Sequence, residues 1–336
     1  MNTFVIAEAG ANHNRNFNKA LQLIDVANLA GASAVKFQTY SSKSLYSKNT
    51  PDFAGYKDIN KLIKEIELPR EWQKDLKQYC DESGIEFMST PFDEKAIDEL
   101  YDLGVKRLKI AGFEARDPRL VKYAAKTGLP LIISAGIGVD LTTIQYIIEW
   151  VKEENSNADI TFLHCNNAYP TPFEDSCLLQ IKRINAMNYS HDISVGFSDH
   201  TPGILAPPLA VALGATVVEK HFTLSRNLPG PDHTFAIEPA ELIEMVKNIK
   251  IAEKCLKEKI GITKSEEKFT KAMRSVVLKK DMKKGEYFSV ENITTKRPSI
   301  SGSVSSWEYF NLIKDGCFIK IDKKEDEILL WEDIGA

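Results

Sequence analysis

The chain has 336 residues, 43% of them hydrophobic and 27% charged, with a formal net charge of −4 and a pI near 6.0. That balance describes a packed globular protein and excludes a global electrostatic drive toward nucleic acid or an anionic membrane. The length exceeds one typical core and predicts roughly two domains, and no apolar run approaches the ~20 residues of a membrane span.

Met1–Glu8 opens the chain with an acid too early, and no basic region, for a secretory signal. The five cysteines (Cys80, Cys165, Cys177, Cys255, Cys317) are odd in number, scattered and without a CxxC pair. They read as free thiols in a reducing compartment, so a cytoplasmic protein is expected.

Strands are predicted, in order, at Thr3–Glu8, Ala34–Thr39, Glu86–Thr90, Arg107–Ala111, Pro130–Ser134, Ile160–Cys165, Ile193–Asp199 and Thr216–His221. Most are continuous apolar runs, as parallel strands covered on both faces should be. Amphipathic stretches such as Asn18–Ala30 and Leu141–Glu153 lie between them, with apolar positions recurring at three and four residues. Eight strands each followed by a helix is the arithmetic of a (β/α)8 TIM barrel over residues 1–258. An open doubly wound sheet is disfavoured, because no Gly-rich dinucleotide fingerprint follows the first strand.

Beyond about Cys255 the composition changes. Residues 259–273 are charged and read as a linker, and 274–336 as a small β-rich module with strands near Arg274–Leu278 and Cys317–Ile321. Some sixty residues is small for an independent core, so the module is expected to lean on the barrel or on another subunit. The run Lys279-Lys280-Asp281-Met282-Lys283-Lys284 reads as a solvated turn.

In a barrel, function gathers at the C-terminal ends of the strands. Here those ends are polar: Glu8, Lys36 and Gln38, Thr90, Lys109 with Glu114 beyond it, Asn167 and Tyr169, Ser198, His200, His221, then Asp232 in the loop after strand eight. Lys36 and Lys109 sit inside apolar strands, where an unpaired ammonium is expensive. Either they pair with Glu8 and Glu114, or they meet a phosphate or carboxylate to which Thr90, Asn167 and Ser198 also donate. His200 and His221 close neighbouring strands and could share one divalent metal. With oxygen or water in the remaining positions, two imidazoles suit Mn²⁺ or Mg²⁺ better than structural zinc. His164 reads as core, whereas His13 and His233 lie in loops that could face the pocket.

These residues fall in longer strings: Ile6-Ala7-Glu8-Ala9-Gly10-Ala11-Asn12-His13, Val35-Lys36-Phe37-Gln38-Thr39, Ser89-Thr90-Pro91-Phe92, His164-Cys165-Asn166-Asn167-Ala168-Tyr169-Pro170, Phe197-Ser198-Asp199-His200, Glu219-Lys220-His221-Phe222-Thr223 and Gly230-Pro231-Asp232-His233. With them the chain resembles the sialic acid synthase family, including its legionaminate, pseudaminate and spore-coat branches, over nearly its whole length. The tail, with Asp281–Glu286 and Lys296-Arg297-Pro298, is similar to that family's antifreeze-like SAF domain.

The resemblance implies condensation of phosphoenolpyruvate with an N-acylated hexosamine, giving a nine-carbon sugar acid and phosphate. It implies Mn²⁺ or Mg²⁺ on His200 and His221, and phosphoenolpyruvate on Lys36, Thr90, Lys109, Asn167 and Ser198. Glu8, Glu114, Tyr169 and Asp232 would orient the sugar or the reacting water, with Gln38 beside them. Arg297 would reach the N-acyl group from the other subunit of a domain-swapped homodimer. Two alternatives remain: a metal-dependent pyruvate aldolase on the same barrel, and a catalytically decayed saccharide-binding protein. Departures from the family pattern bear on the second. Gly112 stands where a serine is usual, Arg15 where a glycine is frequent, Arg116 where an asparagine is common, and Ser299-Ile300-Ser301-Gly302 in place of a Gly-x-Gly loop. Gly112 reads as a lost phosphate donor, so serine at 112 is expected to lower the KM for phosphoenolpyruvate.

Overall fold

The protein is described by a computed structural model over residues 2–52, 55, 57–187 and 193–336. It divides into two compact units, residues 1–257 and 258–336.

In the first unit eight parallel strands run β1 (Phe4–Glu8), β2 (Ala34–Thr39), β3 (Glu86–Pro91), β4 (Leu108–Ile110), β5 (Leu131–Ala135), β6 (Ile160–Cys165), β7 (Ser194–Asp199) and β8 (Val217–His221). Their hydrogen-bonded order is β3-β2-β1-β8-β7-β6-β5-β4, so the sheet curls into a nearly closed TIM-type barrel with its seam between β3 and β4. The strands differ from the expected ones by a residue or so at their ends. Pro130, for instance, has no N–H to give the ladder and lies outside β5.

Several of the connecting helices begin where an Asn or Asp side chain accepts the first free backbone N–H groups. Asn16 caps the helix Phe17–Leu29, Asp93 caps Glu94–Asp102, Asp117 caps Pro118–Lys126 and Asp140 caps Leu141–Glu154. One face of each helix packs on the outward residues of the strands to form the main core, which includes Val5, Leu23, Ile24, Phe37, Ile110, Ile133, Phe162 and Val218.

Alternation along each strand then positions the site. Ile6, Ala34, Met88, Ile132, Leu163 and Val217 form a separate buried cluster inside the barrel. Two residues further along the same strands the inward positions are Glu8, Lys36, Thr90, Ser134, Cys165 and Glu219, all lining one pocket. An apolar floor therefore carries a polar layer at the C-terminal mouth. Gly196 lets β7 approach β8 closely, since a Cβ there would stand 2.4 Å from the Val217 carbonyl oxygen.

In the second unit β9 (Ser275–Leu278) pairs antiparallel with β10 (Ile293–Lys296), and β11 (Phe318–Ile319) with β12 (Ile334–Gly335). The expected strand at Cys317–Ile321 is thus only two residues long. This module has a hydrophobic core that includes Val276, Leu278, Met282, Phe288, Ile293, Val304, Leu312, Ile319 and Leu329. Its basic turn is exposed, with Lys283 on Asp322 and Asp281 on Lys324, each at 2.7 Å. Among the described residues no helix is long and apolar enough to cross a membrane.

Candidate active site

Glu8, Lys36, Gln38, Thr90, Lys109, Asn167, Tyr169, Ser198, His200 and His221 all line a single pocket at the mouth, joined by Ala111, Gly112, Ser134, Cys165 and Glu219. Asp232 reaches its edge, with Oδ2 3.9 Å from His221 Nδ1. Arg297 is exposed in the second unit, immediately after β10.

Four charges form the base of this pocket. Lys36 Nζ lies 2.7 Å from Glu8 and 3.7 Å from Glu219, and donates to Thr90 Oγ1 at 2.8 Å. Lys109 Nζ lies 3.5 Å from Glu219 and donates to Ser134 Oγ at 2.8 Å. Ser198 Oγ donates to Glu219 at 3.1 Å, and Gln38 Nε2 to Glu8 at 2.9 Å. Of the two expected ion pairs, Lys36–Glu8 forms. Lys109 instead takes Glu219, while Glu114 has a buried carboxylate oxygen without a hydrogen-bond partner.

Alongside Ala111, Ser134 and Cys165, Glu219 is a lining residue beyond the set expected from sequence. Its signal was present, because it lies two positions before His221 on β8 and so shares the inward face.

Burial drives the electrostatics here. It pushes the Glu8 carboxyl up to about 7 despite Lys36 beside it, and raises Glu114 to about 7 and Asp232 to about 6. Burial opposes the Lys36 charge, but Glu219 and Glu8 outweigh it and hold that ammonium above its usual value. For Lys109 burial wins over Glu219, and its affinity for a proton falls. Glu219 also suffers from burial, yet Lys109 and Lys36 together keep it below the ordinary carboxylate range.

His200 and His221 face each other with ring centroids 5.4 Å apart, and Tyr169 packs over the His200 ring at 4.2 Å. His200 Nδ1–H donates to the Asn166 carbonyl at 2.6 Å, which leaves Nε2 as a lone-pair donor. His221 Nδ1 is buried without a hydrogen-bond partner. Burial holds both imidazoles neutral, His221 well below its usual value. Their neutral nitrogens are of a type that could hold a metal, although among the described residues no cluster of three or more His, Cys, Asp or Glu is placed to hold one.

His13, His164 and His233 are structural. His13 is buried against Phe37 and Trp72 and accepts the Arg15 N–H, and His233 is enclosed between Thr223 and Asn14. Neither lines the pocket, so the expectation that they could face it is not met. His164 bonds the Ser176 carbonyl and stacks on Phe197, as a core residue. Arg15 donates to the Lys64 carbonyl and pairs with Glu67 at 3.6 Å, tying the loop after β1 to the segment after β2.

A larger cavity, about 210 Å³, opens at the opposite ends of β3 and β4. Its carboxylates are already matched, Asp81 by Lys77 and Glu86 by Arg107, so it presents no free constellation.

The class is therefore a TIM-barrel enzyme with a buried, internally neutralised polar mouth and a small C-terminal β-module. Residues 23–261 match the NeuB family and residues 273–335 the SAF domain. The chain belongs to the NeuB family. It is 38% identical to an N,N'-diacetyllegionaminic acid synthase of Legionella pneumophila, across 100% of this chain and 96% of that protein. It is also 38% identical to a pseudaminic acid synthase of Campylobacter jejuni, across 88% of this chain and 87% of that one. Among solved structures it resembles the N-acetylneuraminic acid (sialic acid) synthetase of Leptospira borgpetersenii crystallised with citrate. There the TM-score is 0.72 at 34% identity, over 80% of this chain and 90% of that one.

Proposed function

We propose that this protein condenses phosphoenolpyruvate with an N-acylated hexosamine, N-acetylmannosamine or a diacetamido-trideoxyhexose, to give a nine-carbon sialic-acid-like sugar and phosphate. The observation that carries the reading is one pocket holding two buried ammonium groups, bridged by Glu219, beside two neutral imidazoles. Lysines at such depth need anions, and a phosphate with its carboxylate would take over from Glu219 and Glu8 as their partners.

In this reading Lys36, Lys109, Thr90, Ser198 and Asn167 hold the anionic groups of phosphoenolpyruvate and set its C3 toward the acceptor aldehyde. His200 and His221 would hold a divalent cation, Mn²⁺ or Mg²⁺. The donor set fits: two neutral imidazoles, one with its tautomer fixed by Asn166 and one with an orphaned buried nitrogen. Such a cation, when bound, supplies Lewis acidity to the aldehyde oxygen. Glu8, held by Lys36 and Gln38, accepts the proton of the water that adds at C2, and phosphate then leaves. Tyr169, Asp232 and Glu114 orient the sugar, and Arg297 of a second, domain-swapped copy meets its N-acyl group.

The test is phosphate release measured across a panel of N-acylated hexosamines with phosphoenolpyruvate and Mn²⁺. Release that requires both substrates is expected. Turnover of pyruvate in place of phosphoenolpyruvate, or no release with any sugar, would sink the proposal.

A further inference from the structure

His200 and His221 are held at the mouth by different means. The His200 ring is fixed by its Nδ1–H, which donates to the Asn166 carbonyl at 2.6 Å. His221 Nδ1 is buried without a hydrogen-bond partner, and Asp232 Oδ2 stands 3.9 Å from it, beyond hydrogen-bonding reach. An imidazole that ligates a metal ordinarily takes its orientation from a hydrogen bond at its other nitrogen. The torsion that turns the ring is broad, so an imidazole without that bond needs another restraint.

Phe235 lies where it can supply one. Its ring stands 5.1 Å from the His221 ring, centroid to centroid, at an edge-to-face angle of 62°. Tyr169 is 5.3 Å from Phe235 and itself stands edge-on to His221 at 6.1 Å. The backbone fastens Phe235 on both sides. Two residues after it, the Ile237 N–H donates to the His221 carbonyl at 3.1 Å, and the Thr223 N–H donates back to the Ile237 carbonyl at 2.9 Å. Two residues before it, His233 is bonded to Thr223 Oγ1 at 2.6 Å and to Asn14 Oδ1 at 3.1 Å. Both anchors therefore reach back to the strand end that carries His221.

We infer that Phe235 is a positioning residue that sets the plane of the His221 imidazole by ring packing, in place of the hydrogen bond that His200 has. Edge-to-face contact is a favoured arrangement of flat rings, and it resists rotation of either one. With the loop after β8 fastened at His233 and Ile237, the phenyl ring cannot follow the imidazole if it turns. Loss of the phenyl ring frees that torsion and lowers the affinity of the histidine pair for a divalent cation.

The affinity part rests on the metal reading of the proposed function; the orientation of His221 does not. Phe235→Ala, Phe235→Leu and Phe235→Tyr separate a ring contact from the filling of space. Mn²⁺ binding, measured by calorimetry, should weaken about three- to tenfold in Phe235→Ala and Phe235→Leu, the order of one aromatic pair. Phe235→Tyr restores the flat ring and should stay within about twofold of wild type. Unchanged affinity in Phe235→Ala would overturn the inference, as would full recovery by leucine. A crystal structure of metal-free Phe235→Ala supplies a readout independent of the cation. There the His221 ring should be turned from its wild-type plane or spread over more than one orientation. A single unmoved ring would overturn the inference whether or not the protein binds Mn²⁺. A wild type that binds no Mn²⁺, with His221 turned in the variant, would remove the metal reading and uphold the role of Phe235.

Discussion

Asp199 and Lys220 face each other as register partners on β7 and β8, with Oδ2 and Nζ 2.7 Å apart and both side chains buried. Each immediately precedes one of the two mouth histidines, so the pair clamps from the outside the two strand ends that carry His200 and His221. Asp199 also accepts the Thr201 N–H at 2.8 Å, and Lys220 donates to the Thr201 carbonyl. We predict that Lys220→Met, which strands Asp199 without its partner, costs about 3–5 kcal/mol in urea unfolding. Combining it with Asp199→Leu should recover most of that loss. A cost under about 1 kcal/mol for the single change would show that the clamp is not structural.

The histidine pair itself is tested through metal affinity. His200→Ala and His221→Ala should each weaken Mn²⁺ binding, measured by calorimetry, by more than the roughly 10–100-fold expected from losing an outer-sphere partner. Chelation should abolish phosphate release and added Mn²⁺ restore it. Unchanged affinity in both variants would remove the metal from these residues.

Glu219 occupies the lysines that the proposal assigns to phosphoenolpyruvate. In Glu219→Gln the ligand-free protein should be less stable, because Lys109 loses its carboxylate partner at 3.5 Å. Added phosphoenolpyruvate should then raise the melting temperature by more degrees than in wild type, since the anion no longer meets a like charge between the lysines. A smaller rise than in wild type would contradict the exchange of partners.

Glu114 gives a pH dependence with a definite sign. Its carboxyl is raised by burial from 4.5 to about 7, so the folded state holds its proton more tightly than the unfolded chain. That contribution to stability is complete below pH ~4.5 and is lost as pH rises through about 7. Glu114→Gln should flatten this part of the decline, seen as a smaller fall in melting temperature between pH 5 and 8 than in wild type. An identical slope in the two proteins would mean that Glu114 ionises freely.

The barrel was legible because parallel strands covered on both faces tend to be continuous apolar runs, and most of the eight were visible as such. The mouth was legible because period-two alternation carries polar residues inward past an apolar floor, as in Ile6 to Glu8 and Val217 to Glu219 to His221. Less legible was which charges meet. Lys109 turns to Glu219 on β8 rather than to Glu114 on its own loop, and that pairing depends on closure of the sheet across many residues of sequence.

Chemical type and strand position were thus determined by the sequence: eight strands, two inward lysines, two histidines at neighbouring ends. Partnership was decided only by the tertiary structure. Lys109 reads in one dimension as a partner for Glu114, and in three it pairs with Glu219. The reason is geometric: a buried charge takes the opposite charge that closure of the sheet brings nearest, and here that carboxylate arrives from another strand of the barrel.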